Sequence, residues 1–84
     1  MFSFYHLFIK VDCPYCREAI ELLEEHRESY VVSVVDKCQG YLDMVKRQFG
    51  HETVPVILYC KSDGAMDLVG GARELIEFLE ARKK

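Results

Sequence analysis

Apolar residues in this chain follow two alternating patterns: short continuous runs, and segments in which they recur every three or four positions. The continuous runs are dense in β-branched and aromatic residues, which predicts buried strands. These runs are 4–11, 30–35 and 54–60. A fourth strand is expected over 66–69, antiparallel to the third, because Asp63-Gly64 before it is a hairpin signal.

The periodic segments predict three helices. The first opens at the Cys13 motif and runs to about Glu28, the second covers 41–49 and stops at Gly50, and the third covers 72–84. The resulting order, β-α-β-α-β-β-α, predicts an α/β fold in which a four-stranded mixed sheet carries helices on both faces. We expect residues 1–84 to form a single domain.

Composition narrows the class of protein. The 84 residues are 50% apolar and 30% charged, which is typical of a globular domain and not of a disordered segment. The net charge of -3 argues against a nucleic-acid partner. Residues 2–11 lack the basic start and the small-residue cleavage site of a secretory signal, so a strand is favoured there. No stretch reaches membrane-spanning length, so no membrane partner is expected.

The cysteine pattern points to redox chemistry. The chain has four cysteines: Cys13, Cys16, Cys38 and Cys60. A disulfide-stabilised scaffold is disfavoured, because the apolar content is sufficient for a core without disulfides. A Cys-x-x-Cys pair among alternating strands and helices favours an oxidoreductase in a reducing compartment, and we expect a cytoplasmic location.

The segment Cys13-Pro14-Tyr15-Cys16 puts two thiols at the first turn of a helix. Free backbone N–H groups and the helix dipole favour a thiolate there, and the nearby Lys10 adds positive charge. We therefore predict that Cys13, at the edge of the helix, is the nucleophile. Cys16 lies one turn further in on the apolar side and is the predicted resolving thiol.

A metal site is the weaker interpretation of these cysteines. Structural zinc requires four ligands, usually from two closely spaced pairs. Cys38, Cys60 and the three histidines, His6, His26 and His51, are scattered singly along the chain. Cys60 is expected in the core and Cys38 in an exposed connection, and no metal ligand is assigned.

At this point the sequence resembles the dithiol glutaredoxins. Phe8-Ile9-Lys10 followed by Cys13-Pro14-Tyr15-Cys16-Arg17 is similar to their active-site segment, and Thr53-Val54-Pro55 and Gly70-Gly71 follow in the family's order. Thioredoxins usually carry C-G-P-C instead of C-P-Y-C. The resemblance extends over essentially the whole chain and implies a thioredoxin-like fold with strand order 2-1-3-4. It also implies glutathione-dependent reduction of disulfides and of glutathione mixed disulfides.

The resemblance also implies which residues bind glutathione. They are Lys10, Tyr15, Thr53, Val54, Pro55, Gly71, Ala72 and Arg73. Pro55 is the expected cis-proline, and Val54 is expected to pair its backbone with the tripeptide like an added strand. Lys10 is expected at the glycyl carboxylate and Tyr15 over the bound tripeptide. The start of the third helix is expected to receive the γ-glutamyl carboxylate.

The chain departs from the family's pattern at three places. Arg73 stands where many relatives carry an acidic or hydroxyl side chain, and Glu74 is the expected substitute for holding the γ-glutamyl amino group. Leu42 falls near a position that is polar in relatives, unless Lys46 or Arg47 serves there. The hairpin over 61–67 is longer than usual and has no functional explanation.

Three functions are compatible with the motif. The leading prediction is a monomeric glutathione-disulfide oxidoreductase that acts on disulfide or glutathionylated proteins, with glutathione as cosubstrate and no bound cofactor. The first alternative is a hydrogen donor recharged by thioredoxin reductase, for example for ribonucleotide reductase. The second is an iron–sulfur carrier in which two chains share a cluster through Cys13 and two glutathiones, which Pro14 disfavours.

Overall fold

A computed structural model describes residues 2–82 of the chain. The elements follow the predicted order β-α-β-α-β-β-α. Their bounds are β1 Ser3–Ile9, α1 Pro14–Glu25, β2 Tyr30–Val34, α2 Gln39–Phe49, β3 Val56–Lys61, β4 Met66–Gly70 and α3 Ala72–Arg82.

The four strands form one mixed sheet in the order β2-β1-β3-β4. β1 pairs in parallel with β2, from Tyr5 opposite Tyr30 to Ile9 opposite Val34. On its other side β1 runs antiparallel to β3, and β3 runs antiparallel to β4. This is the predicted thioredoxin-like arrangement. It brings the ends of β1 and β2 and the start of β3 to one edge of the sheet.

Each face of the sheet carries its own core. Tyr5, Leu7 and Ile9 of β1 point to one face, where they pack with buried residues of α1 and α3. Phe8 points to the other face and packs with the buried residues of α2. Strand alternation divides the side chains in this way, so the prediction of helices on both faces is confirmed.

Helix α1 ends at Glu25, and the expected extension to Glu28 is wrong. The chain turns at Arg27, which has φ 55. The amide of Glu28 then donates to the carbonyl of Leu23, and that of Arg27 to Glu24. These two bonds form a Schellman cap, for which glycine is the usual signal. Arginine at this position explains why the sequence pattern did not predict the helix end.

The remaining boundaries differ from the predictions by a few residues. β1 stops at Ile9 because β2 stops at Val34, and 10–12 form a connection instead of the end of the strand. β3 begins at Val56, after Pro55, and α2 begins two residues earlier than predicted. The end of the predicted third helix, at Lys83 and Lys84, lies outside the described residues.

The hairpin between β3 and β4 turns at the predicted Asp63-Gly64. The Gly64 amide donates to the Lys61 carbonyl at 2.9 Å, and Gly64 has φ 91, a conformation that favours glycine. The Asp63 side chain accepts from the Ala65 amide at 2.9 Å. Across the strands, Lys61 and Asp67 form an ion pair of 3.0 Å. The long hairpin is therefore held by local bonds of its own.

An aromatic cluster fills the end of the core that is made by β1, β3 and the last turns of α3. The rings of Tyr5 and Tyr59 lie 5.1 Å apart, and Phe78 meets Tyr5 edge-on at 6.1 Å. The Arg82 guanidinium lies 4.7 Å from the Tyr59 ring centre. The Tyr5 hydroxyl is buried without a hydrogen-bond partner among residues 2–82. Burial and the nearby charge of Glu28 raise the pKa of Tyr5 to about 12.

The Tyr5→Phe variant removes this hydroxyl and keeps the ring. Because the hydroxyl has no partner, we expect the free energy of unfolding at pH 7 to stay equal or rise by about 1 kcal/mol. The pKa of Tyr5 is higher in the folded chain than in the unfolded one, so its contribution is complete below about pH 10 and is lost as the pH rises to 12. The variant lacks that alkaline loss.

Urea unfolding of wild type and variant at pH 7, 10 and 11 checks this prediction. The difference between the two proteins should grow with pH in favour of the variant. A variant that is clearly less stable than wild type at pH 7 would contradict it, because the hydroxyl would then have a stabilising partner.

Candidate active site

Cys13 and Cys16 are joined by a disulfide at the sheet edge where β1 ends. Cys13 is the N-cap of α1, with extended backbone angles of φ -136 and ψ 102, and Pro14 takes the first helical position. The Cys16 amide donates to the Cys13 sulfur at 3.2 Å. A helix N–H group therefore faces the sulfur of Cys13, as the sequence predicts, and the same donor stabilises a thiolate in the reduced protein.

The two cysteines differ in their exposure to solvent. Cys13 is 7% exposed and Cys16 is 1% exposed. Cys16 packs on the buried side of α1 with Ala19 and Leu23. Cys13 is therefore the more exposed of the two cysteines and Cys16 the more buried. This arrangement suits a nucleophile and a resolving thiol in the predicted order.

The short connection from β1 to Cys13 is held by the end of β2. The Val35 amide donates to the Ile9 carbonyl at 2.9 Å, one step beyond the last strand pair. The next contact is a side chain: Asp36 Oδ1 accepts from the Val11 amide at 2.9 Å. Asp36 thus holds the connection two residues before Cys13. The sequence pattern did not predict this role.

The peptide bond between Val54 and Pro55 is cis, in agreement with the resemblance. Pro55 is buried, and β3 begins at the following residue. Because β3 is antiparallel to β1, its start lies at the same edge as the end of β1. Val54 precedes the first paired residue of β3, so its backbone is not used by the sheet.

A cleft of about 800 Å³ is lined by Tyr15, which lies between the two cysteines in the sequence, although neither cysteine lines it. All the residues that the resemblance implies in binding line it, with the exception of Lys10. Those residues are Tyr15, Thr53, Val54, Pro55, Gly71, Ala72 and Arg73. Elements distant in sequence therefore meet around one cavity: the first turn of α1, the segment before β3 and the start of α3.

The lysine that lines this cleft is not the one that the resemblance implies. Lys10 does not line it. Leu42, the residue that counting along the chain placed near the ligand, is fully buried under α2 and faces the core. Lys46, one turn further along α2, is half-buried and lines the cleft. The positive charge on this wall of the cleft is therefore that of Lys46.

The far end of the cleft is formed by the turn from β4 into α3. Gly70 has φ 119, and a Cβ there would lie 2.9 Å from the Glu74 side chain, so only glycine suits this position. The Gly71 amide donates to Glu74 Oε1 at 2.7 Å, and the Gly71 carbonyl accepts from Leu75. Glu74 is therefore a capping carboxylate for α3. Arg73 is exposed on the same wall.

A histidine that the sequence analysis set aside lies next to this end of the cleft without lining it. His51 follows Gly50, whose left-handed conformation, φ 68, ends α2. The imidazole Nε2 is hydrogen-bonded to Thr53 Oγ1 at 3.2 Å. It also lies 3.8 Å from the position of a Cβ on Gly71. In the sequence, only the position of His51 between Gly50 and Thr53 could have indicated this contact. The spacing of possible metal ligands could not have indicated it.

The other two cysteines lie apart from this chemistry. Cys38 is exposed, as expected, at the start of α2. Cys60 is buried in β3, and its burial raises the pKa of the thiol, which favours an inert core residue. Within residues 2–82, no three His, Cys, Asp or Glu side chains come together as a metal site. In the same range, no helix has both the length and the apolar character needed to cross a membrane.

The fold and the disulfide define a thiol–disulfide oxidoreductase with a thioredoxin-like fold. A family model described as Glutaredoxin matches residues 6–61, which is more than half of the chain. The chain therefore belongs to the glutaredoxin family, and the resemblance seen in the sequence is confirmed. The match includes Cys13, Cys16 and Pro55 but ends before Gly70-Gly71 and before Arg73, the residue that departs from the family's pattern.

Solved structures agree with the fold. A structure described as a malarial protein is 18% identical over the whole of both chains, with a TM-score of 0.54. The solution structure of a thioredoxin from Thermus thermophilus is 24% identical over 95% of this chain and 70% of that one, with a TM-score of 0.52. At these identities the likeness concerns the fold alone. No curated protein sequence matches the chain.

The Asp36→Ala variant removes the acceptor for the Val11 amide. We expect this amide proton to exchange with solvent about fivefold faster, the change that corresponds to one hydrogen bond. Asp36→Asn keeps an oxygen at the same place and is the matched control. Hydrogen exchange followed by NMR measures both variants, and equal exchange in wild type and Asp36→Ala would show that Asp36 does not hold the connection.

Proposed function

We propose that this protein is a glutathione-dependent oxidoreductase that reduces protein disulfides and glutathione mixed disulfides. The observation that carries the proposal is the cleft of about 800 Å³ that brings Tyr15, from the disulfide-bearing turn of α1, together with Val54, whose backbone is not paired in the sheet. Membership of the glutaredoxin family supports glutathione as the reductant.

In the proposed complex, glutathione lies along the cleft with its sulfur toward Cys13. The Val54 backbone pairs with the cysteinyl residue in the manner of an added strand. Tyr15, which is 65% exposed, covers the tripeptide from the side of α1. Lys46 takes the place expected of Lys10 at the glycyl carboxylate, because it is the lysine that lines the cleft.

The γ-glutamyl group then lies at the Gly71 end. Glu74 already caps the Gly71 amide, so its carboxylate favours the ligand's ammonium group. Arg73 and the amides of the first turn of α3 favour the ligand's carboxylate. Arg73, which departs from the family's pattern, therefore binds the carboxylate of the γ-glutamyl group and not its ammonium group.

The proposed reaction is two thiol–disulfide exchanges. The Cys13 thiolate attacks one sulfur of the substrate disulfide and expels the other sulfur as a thiolate, which takes up a proton. The resulting mixed disulfide on Cys13 is resolved by the Cys16 thiolate or by glutathione. When Cys16 resolves it, two glutathiones then reduce the Cys13–Cys16 disulfide and leave as glutathione disulfide. When glutathione resolves a glutathione bound to Cys13, glutathione disulfide leaves directly, so in both routes two electrons pass from glutathione to the substrate.

This proposal includes the setting in which the protein works. Residues 1–84 act as one domain and as a monomer in the cytoplasm, where glutathione keeps thiols reduced. The partners are glutathione and disulfide-containing or glutathionylated proteins, with no nucleic acid or membrane. No bound cofactor is needed for the exchange steps.

Two coupled assays test who reduces the oxidised protein. We expect NADPH consumption in the presence of glutathione and glutathione reductase, with a mixed disulfide of glutathione as substrate. Thioredoxin reductase without glutathione should give little or no turnover. Turnover in the second assay alone would contradict the proposal and favour a thioredoxin-like hydrogen donor.

A pair of serine variants tests the roles of the two thiols. Cys13→Ser should lose all exchange, because it removes the attacking sulfur. Cys16→Ser should still remove glutathione from a glutathionylated peptide, which needs one thiol, but should lose reduction of protein disulfides. The same coupled assay measures both reactions, and the reverse pattern would exchange the assigned roles.

A further inference from the structure

His51 contacts the end of α2, the segment before β3 and, from much further along the chain, the start of α3. Its backbone amide donates to the Lys46 carbonyl at 3.0 Å, which ties it to the last turn of α2. Its ring reaches Thr53 in the segment before β3 and ends beside Gly71 at the start of α3. The ring is half-buried and does not itself line the cleft.

Thr53 depends on this contact more than a strand residue would. It is exposed, it lies outside β3, and it lines the cleft next to Val54. The pairing of β3 with β1 begins only at Val56, so no ladder bond fixes Thr53. The hydrogen bond between Thr53 Oγ1 and His51 Nε2 is therefore a side-chain tether for this segment.

The charges around the imidazole are mixed. Glu74 caps Gly71 within the same end of the cleft, and Lys46 and Arg73 contribute positive charge from α2 and α3. No ion pair joins His51 to an acidic residue among residues 2–82, where the ion pair found is Lys61–Asp67. The ring therefore acts through its hydrogen bond and its packing beside Gly71.

We propose that His51 is a positioning residue for glutathione-containing substrates. It holds Thr53, and through it the Val54 backbone, at a set distance from the Gly71 turn. The width of the cleft between these two walls then matches the tripeptide. This inference rests on the proposed glutathione dependence, and it assigns to His51 an effect on substrate affinity and not on the reaction at Cys13.

The first test measures steady-state kinetics with a glutathionylated peptide as substrate. His51→Ala should raise KM about fivefold, the loss of one hydrogen bond, with kcat changed by less than about twofold. His51→Gln places an amide near the position of Nε2 and should restore most of the affinity. His26→Ala is the matched control, because His26 bonds the Leu22 carbonyl at the far end of α1 and should leave both constants unchanged.

A double-mutant cycle tests whether His51 acts through Thr53. Thr53→Val removes the hydroxyl and keeps the shape, and it should also raise KM about fivefold. If the two residues act as one unit, the double variant should show about the same fivefold increase and not the product of about 25-fold. A multiplicative result would overturn the proposal, because His51 would then act independently of Thr53.

Thermal unfolding of every variant separates affinity from stability. If His51→Ala does not fold, His51→Asn replaces it in the cycle, because its amide is too short to reach Thr53. An unchanged KM in a folded His51→Ala variant would overturn the positioning role. Failure of the proposed function has a different signature: the wild-type protein would then show no dependence on glutathione before any variant is compared.

Discussion

The pairing of β1 with a strand on each side is the constraint on which the site depends. The parallel partner β2 ends where β1 ends, so Asp36 reaches the connection that leads to Cys13. The antiparallel partner β3 begins at the same edge, so Pro55, just before it, lies at the end of the sheet to which β1 leads. One strand with one parallel and one antiparallel neighbour therefore gathers residues separated by about half of the chain.

Features that depend on local chemistry could be predicted from the sequence. Short apolar runs predict strands because β-branched residues favour them. The Cys-Pro-Tyr-Cys segment predicts a helix start because proline suits a first helical turn. The end of α1 could not be predicted, because Arg27 takes a conformation for which glycine is the usual signal. The cap there is formed by backbone bonds that any residue can make.

The sequence pattern also did not predict the contacts that residues make across helices, strands and connections. Counting residues placed Leu42 near the ligand, but the rotation of α2 turns Leu42 into the core and brings Lys46 to the cleft. Asp36 and His51 were unremarkable as single polar residues in connections. The contact of Asp36 with the Val11 amide appears only once two distant segments lie side by side, and the contact of His51 with Thr53 depends on the local turn after α2.

The different exposures of Cys13 and Cys16 have a consequence for the lifetime of a mixed disulfide between the protein and its substrate. In the proposed mechanism, a substrate protein attached to Cys13 is released by Cys16, which is less exposed and lies one helical turn away. Release by Cys16 is therefore a first-order event whose rate does not depend on the amount of thiol in solution. In the proposed glutathione route, a thiol from solution attacks the mixed disulfide instead, so the rate of that release depends on the thiol concentration. The proposed mechanism therefore has one release whose rate is set within the protein and one whose rate follows the concentration of thiols around it.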